Sequence, residues 1–177
     1  EHMCGVNNNR PLSCVYFGLL TRFFPNFQIY FLFIYLIYSL FIYIILKVFD
    51  FLILDNVVKK IFITFLIFPF FSYTILYSPA MQGIGALSLL LWSISILYLK
   101  KYLIEQKKIN LFLSFFFIII LFLVYESSAP LLGISFFFPL LFNKIRAFVI
   151  NFVVIILLLI FVYYLQKIIF PIIFDID

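Results

Sequence analysis

Charge is the scarcest property of this chain. Asp, Glu, Lys and Arg together make up 11% of its 177 residues. Soluble domains carry about a quarter, so a water-facing surface of ordinary size cannot be built from these residues. Glycine is also scarce, at five, and no glycine-rich phosphate loop occurs. Two cysteines, Cys4 and Cys14, supply neither a disulfide framework nor a metal-ligand spacing. The single histidine, His2, has no second ligand near it and reads as an exposed polar residue. There is no CxxC pair, no HExxH and no nucleophile elbow. No repeat of fixed period, coiled coil or soluble domain is visible. The chain opens on Glu1 without a starting Met or a signal peptide, and reads as a fragment.

Hydrocarbon is what the chain has. Hydrophobic residues make up 67% and the mean hydropathy is +1.28. A soluble fold of this size could not bury so much Phe, Ile and Leu, so an all-α, polytopic membrane bundle is expected. It forms a single integral-membrane domain over residues 1–177. Phe (28) and Tyr (12) are frequent. A compositional bias of the genome produces that with no functional cause, so individual Phe residues read as lipid-facing or packing filler.

Residues 1–10 read as an outer loop, and residues 11–24 as a short interfacial helix, too polar and too short to span. Pro11 suits its first turn, and Pro25 with Asn26 ends it. Residues 27–46 form the first expected span, 47–60 a loop and 61–76 a second span kinked at Pro69. Residues 77–85, YSPAMQGIG, read as an uncharged turn. A third span over 86–99 begins near Met81, and 100–108 is a basic loop. Residues 109–124 form a fourth span. Residues 131–142 are short for a fifth, either just spanning or dipping partway and returning. A tight basic turn, 143–146, leads to the last span, 148–165, and a tail, 166–177.

Alternating the loops places Lys47, Lys59, Lys60, Lys100, Lys101, Lys107, Lys108, Lys144 and Arg146 on one side. That is nine of the twelve basic residues, so the positive-inside rule makes loops 47–60, 100–108 and 143–146 cytoplasmic. The net charge of +5 is thereby explained by loops and does not point to nucleic acid. Six spans plus the interfacial helix follow.

Candidate chemistry then falls on scattered polar residues of the outer face. Glu126, in LVYESSAP, is a carboxylate between two apolar runs. It reads either as a turn residue reaching interfacial water or as a polar anchor in an outward-facing cavity. Arg10 and Arg22 flank the interfacial helix. They either snorkel to headgroups or clamp a lipid phosphate, for which the guanidinium fork offers two donors at once. Tyr77 and Gln82 either hydrogen-bond a sugar or belong to a plain Pro/Gly turn with an interfacial aromatic. Trp92, Asn110 and Asn151 read as anchors or span-edge polar residues.

The order of these segments resembles the GT-C class of polytopic glycosyltransferases, and within it the dolichyl- or polyprenyl-phosphate-sugar-dependent protein O-mannosyltransferases. The resemblance runs over about residues 8–142. It rests on Arg10-Pro11, the juxtamembrane helix, Pro25, the paired Lys59-Lys60, Pro69 and YSPAMQG with Gly85, Leu87 and Leu91, then Tyr125-Glu126 and Pro130. Tyr125 stands where the family usually has lysine, and the family's aromatic-histidine pattern after the second span is absent.

The resemblance implies sugar transfer from a polyprenyl-phosphate donor to an acceptor on the extracytoplasmic face, with membrane lipid around it. It implies Arg10, with Arg22, as the donor phosphate contact. It also implies a basic residue or divalent metal on the departing phosphate. The family's catalytic acidic residue falls before Glu1, so no catalytic residue is nominated here. Two other readings share this topology. One is a non-enzymatic membrane protein, such as a transporter part or a lipid-linked sugar flippase. The other is an oligosaccharide-repeat polymerase.

Overall fold

A computed structural model of the chain describes residues 18, 19, 22, 23, 26–49, 79–124, 129–165 and 168. Among the described residues the structure is helical, with no strand. Helix α1 runs Phe27–Val48, α2 Pro79–Glu105, α3 Lys108–Val124, α4 Ala129–Phe137, and α5 Ile145–Tyr164, with a 3-10 segment Phe138–Phe142 between α4 and α5. Three stretches are long and apolar enough to cross a membrane: Gln28–Val48, Gly83–Glu105 and Ile145–Tyr164. The chain therefore has the make-up of a membrane protein. The expected second span, 61–76, lies outside the described residues. So do most of the expected interfacial helix and the tail from 169 onward.

Helix α2 is the centre of the bundle. Of its most apolar window 56% is buried, against 28% for α1 and 17% for α5. It packs against α1 on one side and α3 on the other. Its main buried stripe is Ile84, Ser88, Leu91, Trp92, Ser95, Ile96, Leu99 and Leu103, and Ala86 and Ser93 are buried on the opposite face, the pattern of a helix covered on more than one side. Helix α1 instead buries one seam, Tyr30, Ile34, Ile37, Phe41, Ile45 and Val48, at steps of three and four. It leaves Leu32, Leu36 and Leu40 exposed. Helix α5 is the outermost. It buries Asn151, Ile155 and Val162, while Leu157, Ile160 and Phe161 face outward.

The order of contacts gives directions. Tyr30 and Ile34 near the start of α1 cluster with Ala86 near the start of α2. At the far ends, Lys100 Nζ donates to the Lys47 carbonyl at 2.7 Å. So α1 and α2 run parallel: α1 ends and α2 begins at opposite ends of the bundle. Helix α3 returns beside α2, with Tyr98 stacked on Phe117 at 5.9 Å. The segment 129–142 then runs with α2, and α5 runs back against it, pairing Phe136 with Phe152 and Phe137 with Phe148.

Several boundaries differ from those expected. Helix α2 begins at Pro79 and continues to Glu105. Most of the expected YSPAMQGIG turn is thus helix, with Pro79 at its first position, where a missing N–H costs nothing. Lys100 and Lys101 are likewise on a helix, and the basic loop shrinks to Gln106 and Lys107. Lysines end apolar helices without breaking them because their long stems carry the charge to water. Lys47 and Val48 belong to α1, and α5 starts three residues earlier than expected.

Candidate functional site

Pro139 organises the polar interior. In an α-helix the carbonyl of residue 135 would accept from the N–H of residue 139, and proline has none. Helix α4 accordingly gives way to the 3-10 segment. The freed Ser135 carbonyl is met from another helix: Asn151 Nδ2, on α5, donates to it at 2.8 Å. The Ser135 hydroxyl accepts from the indole Nε1 of Trp92, on α2, at 3.0 Å, and donates back to the Leu131 carbonyl at 3.4 Å. Three helices thus meet at Ser135, which is fully buried.

Trp92 (5% exposed) and Asn151 (1% exposed) are core residues, which corrects their reading as anchors or span-edge groups. The cause is tertiary. Trp92 lies mid-way along the central helix, where an indole N–H needs a partner, and Asn151 answers a carbonyl that proline leaves open. Asn110 does lie at a helix start and donates to Glu105 Oε2 at 3.4 Å. Asn151 Oδ1 is buried and has no hydrogen-bond partner. Exchanging its amide O and N would set oxygen against the Ser135 carbonyl, so the donor assignment stands and Oδ1 is a spare acceptor.

The neighbouring serines close their own accounts. Ser95 and Ser114 Oγ atoms lie 3.2 Å apart and join α2 to α3. Ser88 and Ser93 donate back to the Ile84 and Leu90 carbonyls. In hydrocarbon such bonds matter because no water competes for the groups. None of these interior groups carries charge, so the arrangement binds and orients but has no acid or base. Among the described residues no cluster of His, Cys, Asp or Glu could hold a metal ion.

The second polar region is one end of the bundle. Lys47, Lys100 and Lys101 lie at the ends of α1 and α2, Lys107 and Lys108 at the hairpin, and Lys144 and Arg146 at the start of α5. They share an end because Lys100 Nζ bonds the Lys47 carbonyl and Phe49, just past α1, meets Phe138 of the 3-10 segment. Lys47 Nζ sits 5.7 Å from the Tyr43 ring centre, and Lys101 Nζ 5.3 Å from that of Tyr98. Lys107 pairs with Glu105 at 3.1 Å, an exposed pair of small energetic weight.

Of the residues expected to form an outer-face site, Arg10, Tyr77 and Glu126 lie outside the described residues. Arg22 is helical and exposed, and Gln82 lies in the second turn of α2. Sequence reasoning missed the Ser135–Asn151–Trp92 junction. The signal for half of it was present: a proline four residues after Ser135.

No protein-family model, no curated protein and no solved structure matches this chain.

Proposed function

We propose that the chain is the multi-pass membrane part of a sugar transferase. Its basic end faces the cytoplasm, and a polyprenyl-phosphate-linked donor is handled at the opposite, extracytoplasmic face. The observation that carries the orientation is the gathering of Lys47, Lys100, Lys101, Lys107, Lys108, Lys144 and Arg146 at one end, since cytoplasmic ends collect Lys and Arg. The transfer reaction rests on the order of segments from Arg10-Pro11 through Tyr125-Glu126. In this reading Arg10 and Arg22 contact the donor phosphate, and Tyr77, Gln82 and Glu126 line the outward cavity. A basic residue or a divalent metal stabilises the departing phosphate.

The test uses membranes carrying the protein and a radiolabelled polyprenyl-phosphate sugar. Label passes to an acceptor, and Arg10→Ala lowers transfer at least about tenfold at unchanged expression, the loss expected for a charge-assisted phosphate contact. Undiminished transfer in that variant removes Arg10 from the site. A second reading, movement of a lipid-linked sugar without transfer, is favoured by one feature, the uncharged polar junction at Ser135 with its spare Asn151 acceptor. Polar groups inside membrane bundles often mark substrate paths. Donor crossing the bilayer with no transferred label would select it.

A further inference from the structure

The basic end carries a groove as well as charge. Phe49, Gly133, Ile134, Phe137, Phe138 and Leu141 line an apolar cleft of about 320 Å³. It follows 133–141 for about 14 Å at the rises of an α-helix and a 3-10 helix. Ile134, Phe137 and Leu141 are exposed, so the cleft opens on the outer side of the bundle. Its aromatic walls make ring contacts: Phe49 meets Phe138 edge-on at 6.1 Å, and Phe137 stacks on Phe148 at 6.0 Å.

Exposed cations lie close to the cleft along the chain. Lys47 is two residues before Phe49. Lys144 follows Leu141 across a tight turn, its backbone N–H bonded to the Pro139 carbonyl at 3.2 Å. Arg146 follows two residues on, in the first turn of α5, and all three cations are exposed. Among the described residues the one carboxylate is Glu105, and Lys107 occupies it. An apolar slot that ends near exposed cations, at a membrane-facing edge, matches one chemistry, a hydrocarbon chain attached to an anion.

We infer that this groove binds an anionic phospholipid, with an acyl chain along 133–141 and the phosphate held by Lys144 and Arg146. The inference rests on membrane embedding and not on sugar transfer. Clusters of Lys and Arg beside membrane helices bind acidic lipid in this way, and the planar guanidinium of Arg146 suits two phosphate oxygens.

Gly133 supplies the decisive variant. A Cβ there meets no atom within 4 Å, so Gly133→Leu fills the cleft with little disturbance of the fold. The purified protein is titrated with phosphatidylglycerol and phosphatidylcholine, and bound lipid is counted by native mass spectrometry. Phosphatidylglycerol should bind at least about tenfold more tightly, from about fivefold per cation less screening. Lys144→Gln with Arg146→Gln should bring the two lipids to parity. Gly133→Leu should weaken both, and Lys101→Gln, held over Tyr98, should change neither. An unaltered preference in the double variant, full binding in Gly133→Leu, an equal loss in Lys101→Gln, or displacement of the lipid by inorganic phosphate would each overturn the assignment.

Discussion

At the scale of the residue, one proline decides more than any charge. Pro139 removes a donor, Ser135 is left with an open carbonyl, and Asn151 fills it from another helix. Side-chain bonds between membrane helices average only about 0.6 kcal/mol, because the separated helices find other partners. A carbonyl whose α-helical donor is replaced by proline has fewer alternatives within its own helix. Asn151→Leu is therefore expected to cost more, about 1–2 kcal/mol, measured by thermal unfolding in detergent. In a Pro139→Ala background residue 139 regains its N–H, and the same substitution should cost less than about 0.5 kcal/mol. Equal costs in both backgrounds would dissolve the coupling. Pro139 is visible in the sequence. Its answer on Asn151 is not, since nothing local says which helix will lie against α4.

At the scale of the element, apolar length was readable and ends were not. The cores of α1, α3 and α5 lie where uninterrupted hydrocarbon predicts them, because a span must satisfy its backbone internally. The ends of α2 were placed too far inward at both sides, at Pro79 and at Lys100-Lys101, where turn-like and charged residues sit on continuous helix. The turn into α5 is set by Asn143, in the left-handed region at φ 53. Its N–H bonds to the Leu140 carbonyl at 3.0 Å. Asparagine and glycine take that conformation cheaply and β-carbon-bearing residues in general do not. Asn143→Ala should lower stability by about 1 kcal/mol, while Asn143→Gly should leave the melting temperature within about 2 °C. An alanine variant that melts with the parent would show that the turn carries no strain.

At the scale of the whole molecule, the described bundle exposes hydrocarbon where a soluble domain exposes charge, and it buries mostly hydrocarbon with a few uncharged polar groups among it. Burial of apolar surface cannot be what holds it together where lipid tails are as apolar as leucine. Packing around α2, the Ser95–Ser114 bond and the Ser135 junction do so instead. The basic segments group by charge counting over the sequence, and the described ones lie at one end of the bundle. The expected outer-face site was legible only as separate residues, Arg10, Arg22, Tyr77, Gln82 and Glu126. Residues far apart in sequence show no spacing from which a shared cavity can be derived.

The central claim is the orientation of that basic end, and single-cysteine labelling tests it most directly. Cys4 and Cys14 are replaced by serine, and Gln106→Cys in the α2–α3 turn is compared with Asn26→Cys at the other end, both at exposed positions. With a membrane-impermeant maleimide on intact cells, Asn26→Cys should react and Gln106→Cys should react only after permeabilisation. Labelling of Gln106→Cys on intact cells, or of both positions from one side, would contradict the account.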